Sequence, residues 1–146
     1  MRDEEMVLQV NEAFYAAFAA KDAEAMAALW ARRAPVACIH PGWHALRGRD
    51  AVLASWRSIL GGPGAPPISC TEAAAHVLGD TAFVICVERI PGVELVATNV
   101  FVREDNQWKI VHHHASSMVR GATDSEPEPE PEPEEDDPDT GSSTLH

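Results

Sequence analysis

Apolar residues recur at helical spacing in three stretches of the first half of the chain, and this pattern predicts three helices. The first stretch covers residues 3–20, where apolar side chains fall three and four residues apart. The second follows Asp22, whose carboxylate can cap a helix N-terminus, and it stops before Pro35. The third opens at Gly48 and ends in the glycine-rich segment 61–64.

Strand patterns occupy most of the remaining chain. The apolar segment 36–40 predicts a short strand, and a second short strand is predicted within 43–47. From residue 67 the apolar period changes to two, which is typical of strands. Turn residues divide this part into four predicted strands, at about 67–78, 80–90, 93–103 and 107–118. Short connections make successive strands antiparallel, and helices segregated from an antiparallel sheet define the α+β class.

The chain of 146 residues is long enough for one domain with a substantial core, but its charge is unevenly distributed. The formal net charge is −12, and ten Asp and Glu with no Lys or Arg fall within 124–146, which leaves −2 for residues 1–123. We therefore predict a folded domain over 1–122 and a disordered acidic tail over 123–146. The tail either keeps the protein soluble, contacts a basic partner, or carries a regulatory site around Ser125, Ser142 or Ser143.

Composition excludes several classes of function. A nearly neutral body with an acidic tail has no basic stripe for nucleic acid or for anionic lipid, so neither partner is expected. No apolar run reaches the ~18 residues that a membrane span requires. The acidic N-terminus lacks a signal-type apolar stretch, and three cysteines without a CxxC motif are typical of reduced thiols. These features predict a cytoplasmic protein.

The most unusual local feature is the run of three histidines at 112–114. Residues two apart on a strand share a face, so His112 and His114 are predicted to point one way and His113 the other. With His40 from the first strand, His112 and His114 would form a set of three imidazoles. Such a set could bind a metal, act in acid–base catalysis, or simply form hydrogen bonds in a polar pocket or subunit interface. Because no feature fixes the distance from the last strand to His40, we predict neither a metal nor a cofactor.

Four further residues are candidates for a binding site. Trp43 follows the turn after the first strand, where an aromatic ring can form the wall of a cavity mouth. Asn99 lies on an apolar strand face, so it needs a hydrogen-bonding partner if it is buried. Cys38 shares a face with His40 and is either a nucleophile or a small buried side chain. Tyr15 lies at the edge of the first helix's apolar stripe and points either to the surface or into a cavity.

Several segments together resemble the SnoaL-like branch of the nuclear transport factor 2-like superfamily. The resemblance covers about residues 5–118 and rests on the order and spacing of segments 10–18, 38–43, 46–49, 55–56 and 108–116. It implies an α+β cone, in which a strongly curved antiparallel sheet surrounds a cavity closed by the N-terminal helices. Members often dimerise through the sheet. They include ketosteroid isomerases, polyketide cyclases, epoxide hydrolases, dehydratases and non-catalytic binding domains, so the fold alone does not determine function.

The resemblance also implies where chemistry would take place. The isomerases and cyclases of this group use a carboxylate on a cavity strand as the base, whereas the first strand here carries Cys38 and His40. Glu88 is the one acid at the centre of a predicted strand that could substitute for it. We therefore expect His40 or His114 as the base and Tyr15 as the oxyanion donor.

Two functions remain open at this stage. One is a cone that binds a small apolar or partly polar molecule, with acid–base catalysis of the isomerase or cyclase type. Its ligand would contact Trp43, His112, Asn99 and Cys38. The other is a non-catalytic, dimeric binding or scaffold module with a vestigial pocket.

Overall fold

The computed structural model describes residues 1–119, and the predicted acidic tail at 123–146 lies outside this range. All three predicted helices are confirmed. They are α1 (Asp3–Ala19), α2 (Ala23–Leu29) and α3 (Arg49–Gly61). The predicted cap of α2 is also present, because the Asp22 carboxylate accepts a hydrogen bond of 3.0 Å from the Ala25 backbone N–H. None of the helices within 1–119 is long and apolar enough to cross a membrane.

The six predicted strands are also present and form a single curved sheet. They are β1 (Ala37–Ile39), β2 (Leu46–Arg47), β3 (Ser69–Leu78), β4 (Thr81–Ile90), β5 (Val93–Glu104) and β6 (Gln107–Ser117). Their spatial order is β2-β1-β6-β5-β4-β3. The sheet is mixed, because β1 pairs with β6 in parallel while the other neighbours are antiparallel. The sequence pattern predicted the antiparallel neighbours and did not predict the parallel pair.

The helices cover one face of the sheet, and the core lies between the helices and this face. Its largest fully buried side chains include Trp30, Trp56, Phe14 and Phe101. The link between α2 and β1 is attached to this body by Glu104 at the end of β5. The Glu104 carboxylate accepts hydrogen bonds from the backbone N–H groups of Arg32, Arg33 and Ala34, at 2.8, 3.0 and 3.2 Å. These hydrogen bonds lower the pKa of Glu104 to about 2, and they fix where β1 enters the sheet.

A β-bulge in β6 changes which histidine faces the core. Val100 pairs with His112 and Phe101 pairs with Ile110, so Val111 is an extra residue in β6. The alternation of faces is therefore reset after Ile110, and His113 points inward with only 3% of its surface exposed.

The prediction that His112 and His114 face the interior is consequently wrong. His114 is exposed, and His112 is half-buried on the outer face, where its Nδ1 lies 3.1 Å from the Ala37 carbonyl oxygen. Counting every second residue assumes an unbroken strand, and the bulge breaks that count. The three-imidazole set of His40, His112 and His114 does not form.

Candidate acid–base site

Five polar side chains meet on the inner face of the sheet, and we call them the inner polar cluster. They are Asn11, Tyr15, Glu88, Asn99 and His113, and each is at most 5% exposed. Three come from adjacent strands: Asn99 pairs directly with His113, and Glu88 lies on the same face of β4. Asn11 and Tyr15 are one helical turn apart on α1, so both face the sheet.

The cluster is joined by short hydrogen bonds centred on Asn99. The Asn99 amide Nδ2 donates to Asn11 Oδ1 at 2.8 Å and to the Tyr15 hydroxyl at 3.3 Å. The amide oxygen of Asn99 lies 2.6 Å from His113 Nδ1, which must therefore be the protonated ring nitrogen. Tyr15 in turn donates its hydroxyl hydrogen to Glu88 Oε2 at 2.6 Å. All five groups thus hold one another in fixed positions.

Burial sets the protonation states in this cluster. It lowers the pKa of His113 to about 3, with a smaller contribution from the neighbouring His40. It also raises the pKa of Tyr15, to which the charge of Glu88 adds. The pKa of Glu88 is likewise raised by burial, against the opposing effect of the Tyr15 hydrogen bond. At neutral pH the imidazole is therefore uncharged, the phenol is protonated, and Glu88 holds its proton more tightly than an exposed carboxyl does.

His113 and Glu88 do not form an ion pair under these conditions. His113 Nε2 lies 3.8 Å from Glu88 Oε2, beyond hydrogen-bond distance. Because the hydrogen of the neutral ring is on Nδ1, the Nε2 lone pair faces the carboxyl group. The imidazole thus positions Asn99 and lines the space beside Glu88.

His40 lies inside, as predicted, but its hydrogen bond is made outside the inner polar cluster. Its Nε2 lies 2.9 Å from Ser55 Oγ, and Ser55 donates its own hydrogen to the Val52 carbonyl at 2.7 Å. The ring nitrogen is therefore the donor in this pair, and Ser55 is not activated as a nucleophile. The His40 ring packs against Trp56 and Trp43, with centroids 4.7 and 4.9 Å away.

Cys38 does not form a reactive pair with His40. Its sulfur lies 3.7 Å from His40 Nε2, but burial raises the pKa of the thiol to about 12. Burial also lowers the pKa of His40 to about 4. Both groups are therefore neutral at neutral pH, which favours the interpretation of Cys38 as a small buried side chain.

An open groove between α1 and β3 reaches the inner polar cluster. Its volume is about 590 Å³. It is lined by Glu5, Leu8, Gln9, Asn11, Glu12, Tyr15, Cys70, Thr71, Glu72 and Ala73. Tyr15 and Asn11 are the cluster members in this lining, and Glu88 lies directly behind Tyr15. A small molecule in the groove would therefore meet the cluster at Tyr15 and Asn11.

The structure brings together some of the predicted residues and separates others. Tyr15 and Asn99 lie in the cluster, whereas His40 and Cys38 are buried beside it. Trp43 is 46% exposed and covers His40, away from the groove lining.

Three members of the cluster were missed as site residues. Glu88 was recognised as the acid that could serve and shares a face of β4 with Val84 and Cys86, but it was not chosen as a site residue. Asn11 lies one turn before Tyr15, and this spacing was also readable in the sequence. His113 could not be found without the bulge. Across residues 1–119, no three His, Cys, Asp or Glu side chains are grouped as metal ligands.

We expect His40 and His113 to remain neutral imidazoles at pH 6. Their folded pKa values, about 4 and about 3, lie below the ordinary value of 6.5, so acidification protonates the unfolded chain first. The two rings therefore contribute stability at neutral pH that is lost as the pH falls from 6.5 through these values. Glu88 acts in the opposite sense, because its folded pKa is raised. Nitrogen-15 NMR of the histidine rings measures this directly, and a ring that becomes charged above pH 6 would contradict it.

Comparison with known proteins identifies the family. The family model of the SnoaL-like domain matches residues 7–120, and the chain belongs to this family. The fold is the expected NTF2-like α+β cone, with a curved sheet that does not close into a barrel.

Two solved structures and one curated protein illustrate the range of relatives. A candidate dehydratase of the NTF2-like family from Streptomyces avermitilis is 36% identical, with 81% of this chain and 97% of that chain covered and a TM-score of 0.73. A candidate calcium/calmodulin-dependent protein kinase type II association domain from Thiobacillus denitrificans is 38% identical, with coverages of 75% and 93% and a TM-score of 0.67. The F-box protein SKIP8 of Arabidopsis thaliana is 28% identical over 115 residues, which are 77% of this chain. The chain spans about half the length of that protein.

Proposed function

We propose that this protein binds a small molecule in the groove between α1 and β3 and performs acid–base chemistry on it. The observation that carries the proposal is the buried carboxyl group of Glu88, which is 3% exposed and hydrogen-bonded to a tyrosine on the groove floor. A carboxyl group whose pKa is raised by burial keeps its proton to a higher pH than an exposed one, and it can serve as a proton donor or acceptor. Buried carboxyl groups are costly, so such a group in contact with a side chain that lines a groove favours a functional role.

In this proposal Tyr15 contacts the substrate and Glu88 acts through Tyr15. When Glu88 is in its acid form, it donates a hydrogen bond to the phenol oxygen and frees the phenol hydrogen to turn toward the groove. That hydrogen is then available to a substrate oxygen on which negative charge develops as water in the groove takes a proton from the adjacent carbon, or to a leaving hydroxyl group. When Glu88 is ionised, it draws the phenol hydrogen back. His113 and Asn99 hold the pair in register and do not contact the groove.

The charge of the groove indicates which molecules would enter. Glu5, Glu12 and Glu72 lie in the lining, which contains no Lys or Arg. Glu72 is balanced by Arg89, whose Nη2 lies 3.4 Å from it. Because the remaining charge is negative and much of the lining is apolar, the groove favours neutral or cationic substrates over anions. Isomerisation, cyclisation and dehydration of a compact oxygen-containing molecule fit this description.

The comparisons lend support to this class of reaction. The Streptomyces avermitilis relative is named as a candidate dehydratase, and dehydration requires a proton for the departing hydroxyl group. The Tyr15–Glu88 pair could supply that proton from a site sheltered from bulk water.

A deuterium-uptake screen tests this proposal without knowledge of the substrate. The full chain is incubated in D₂O with a panel of small cyclic ketones, enones and β-hydroxy ketones, and NMR detects exchange at carbon and loss of water. We expect at least one neutral compound to react faster with the protein than without it. Absence of both binding and exchange across the panel would contradict acid–base catalysis in the groove.

The outer face of the sheet favours a second role, as an association surface for a homodimer. Its apolar side chains on β4 and β5 are Phe83, Ile85, Val87, Val96, Val100 and Val102. Ile85 lies at the centre of this set and is 45% exposed. An apolar sheet face of this kind is typical of subunit interfaces, and one relative is named as an association domain. This role corresponds to the scaffold module predicted as the alternative function, and it is compatible with a working groove on the inner side.

Replacing Ile85 with Lys is expected to convert the dimer to single chains. A charge at the centre of the face would be buried without a partner in the dimer, which costs several kcal/mol. The matched control is Ala54→Lys, which adds the same charge at an exposed position on α3. Sedimentation at micromolar concentration should give two chains for the wild type and the control, and one chain for Ile85→Lys. A wild-type protein that sediments as one chain would refute the dimer.

A further inference from the structure

Two of the three cysteines lie side by side at the inner end of the groove. Cys70 on β3 pairs directly with Glu88, and Cys86 lies two residues before Glu88 on the same face of β4. The two thiols are therefore diagonal neighbours across one strand pair. Cys86 is 1% exposed, whereas Cys70 is half-buried and belongs to the groove lining.

Two neighbouring side chains of α1 contact the two sulfur atoms. Asn11 Nδ2 donates to Cys70 Sγ at 3.7 Å, and the Tyr15 hydroxyl lies 3.3 Å from Cys86 Sγ. The two thiols are close enough that each shifts the pKa of the other. Both are free thiols. Cys38 is elsewhere, in contact with His40.

The interaction between the two thiols distinguishes them chemically. It lowers the pKa of Cys86 and raises that of Cys70. Cys86 is therefore the sulfur that ionises first, with Cys70 held against it as a protonated thiol. A stabilised thiolate beside a second thiol is the arrangement that reversible oxidation requires.

Strand β3, which carries Cys70, has an irregular segment where the backbone could move to allow a disulfide bond. The β3–β4 register shifts between Thr71 and Ala74, which marks an irregularity in β3 at this point. Glu72 has a φ of 59°, a left-handed conformation that a glutamate rarely adopts. Because diagonal cysteines on a regular sheet are too far apart to bridge, the irregularity that begins after Thr71, one residue beyond Cys70, is where the backbone can adjust.

We propose that Cys70 and Cys86 form a peroxide-sensitive modification site that closes as a disulfide at the inner end of the groove. The Cys86 thiolate attacks one oxygen of hydrogen peroxide, which gives a sulfenic acid and, after protonation, one water. The Cys70 sulfur then attacks the sulfenic sulfur, and the hydroxyl leaves as a second water with the Cys70 proton. Two thiols are oxidised by two electrons and one peroxide is reduced. The chemistry does not depend on the proposed acid–base function, because it needs only the two sulfur atoms and access for peroxide.

Peroxide treatment of the full chain tests the site. We expect intact mass spectrometry to show a loss of about 2 Da that dithiothreitol reverses, since two hydrogens leave when a disulfide forms. No Lys or Arg lies between the two cysteines, so a protease that cuts at Asp80 is needed to separate them. The linked peptides should then contain Cys70 and Cys86, while the Cys38 peptide remains reduced.

Variants provide matched controls for this experiment. Cys38→Ala should lose about 2 Da at the wild-type rate, whereas Cys70→Ala and Cys86→Ala should not form the bond. The result would be overturned by a disulfide that includes Cys38, by a bond between two chains, by sulfinic acid as the sole product, or by no reaction. Peptide mapping of the wild type alone decides the question if a cysteine variant does not fold.

Discussion

Replacing Glu88 with Gln is expected to lower turnover of a substrate found in the deuterium-uptake screen by about 10²–10⁴-fold, the range for losing a general acid–base group. The amide has nearly the same volume and can still hydrogen-bond to the Tyr15 oxygen, 2.6 Å from the present carboxyl oxygen. It cannot give up or take back a proton. The groove should remain intact, because Glu88 does not belong to its lining. Binding of the compound should therefore change much less than turnover.

The pH profile distinguishes this role from a merely structural one. In the wild type, turnover should follow the raised pKa of Glu88, and this dependence should disappear in Glu88→Gln. Tyr15→Phe should cause a loss of similar size, and the double variant should be little worse than either alone, because the two residues act as one unit. Glu24→Gln, an exposed carboxyl group on α2, is the control and should have no effect. Unchanged turnover in Glu88→Gln would exclude the carboxyl group from the chemistry.

Replacing Asn99 with Leu is expected to destabilise the fold by about 3–5 kcal/mol. Leu has nearly the same shape, so little packing is lost, but the Asn11 carbonyl and the His113 N–H would each lose a partner at 2.8 and 2.6 Å. A buried polar group left without a hydrogen bond costs about 1–3 kcal/mol, and Tyr15 would lose a third contact. Asn99 is fully buried, so water cannot replace these contacts. Urea denaturation monitored by tryptophan fluorescence measures the change.

The neighbouring residue gives a matched control for this prediction. Thr98→Val also replaces a polar group with an isosteric apolar one, but it lies on the outer face opposite His114. Its effect on the free energy of unfolding should be under about 0.5 kcal/mol. A small effect of Asn99→Leu, equal to that of Thr98→Val, would mean that the inner polar cluster relaxes freely and does not hold Tyr15 and Glu88 in place.

Much of the fold could be predicted from the sequence because its signals are local. The period of 3.6 defined α1 and α3, and the period of two with turn residues defined β3 to β6 to within two residues. Asp105 and Asn106 form the turn between β5 and β6 with positive φ at both residues. Asp and Asn tolerate this conformation, which two-residue hairpin turns require. The parallel pairing of β1 with β6 could not be predicted in this way, because it joins segments more than 70 residues apart.

The candidate site was predicted less completely, for a related reason. Tyr15 and Asn99 were among the predicted residues, and both lie in the inner polar cluster. His114 was also predicted and is exposed, since one extra residue in β6 exchanged the faces after Ile110. Glu88 was recognised as the acid that could serve, but the expected base was a histidine.

The sequence by itself determined the class of fold, the order of its elements and the residue types available for chemistry, because these depend on spacing and composition over short distances. Only the tertiary structure decided that a buried carboxyl group is hydrogen-bonded to a tyrosine that lines the groove. That outcome depends on the register between strands and on the depth of burial. Register decides which side chains meet, and burial decides which of them keep their protons.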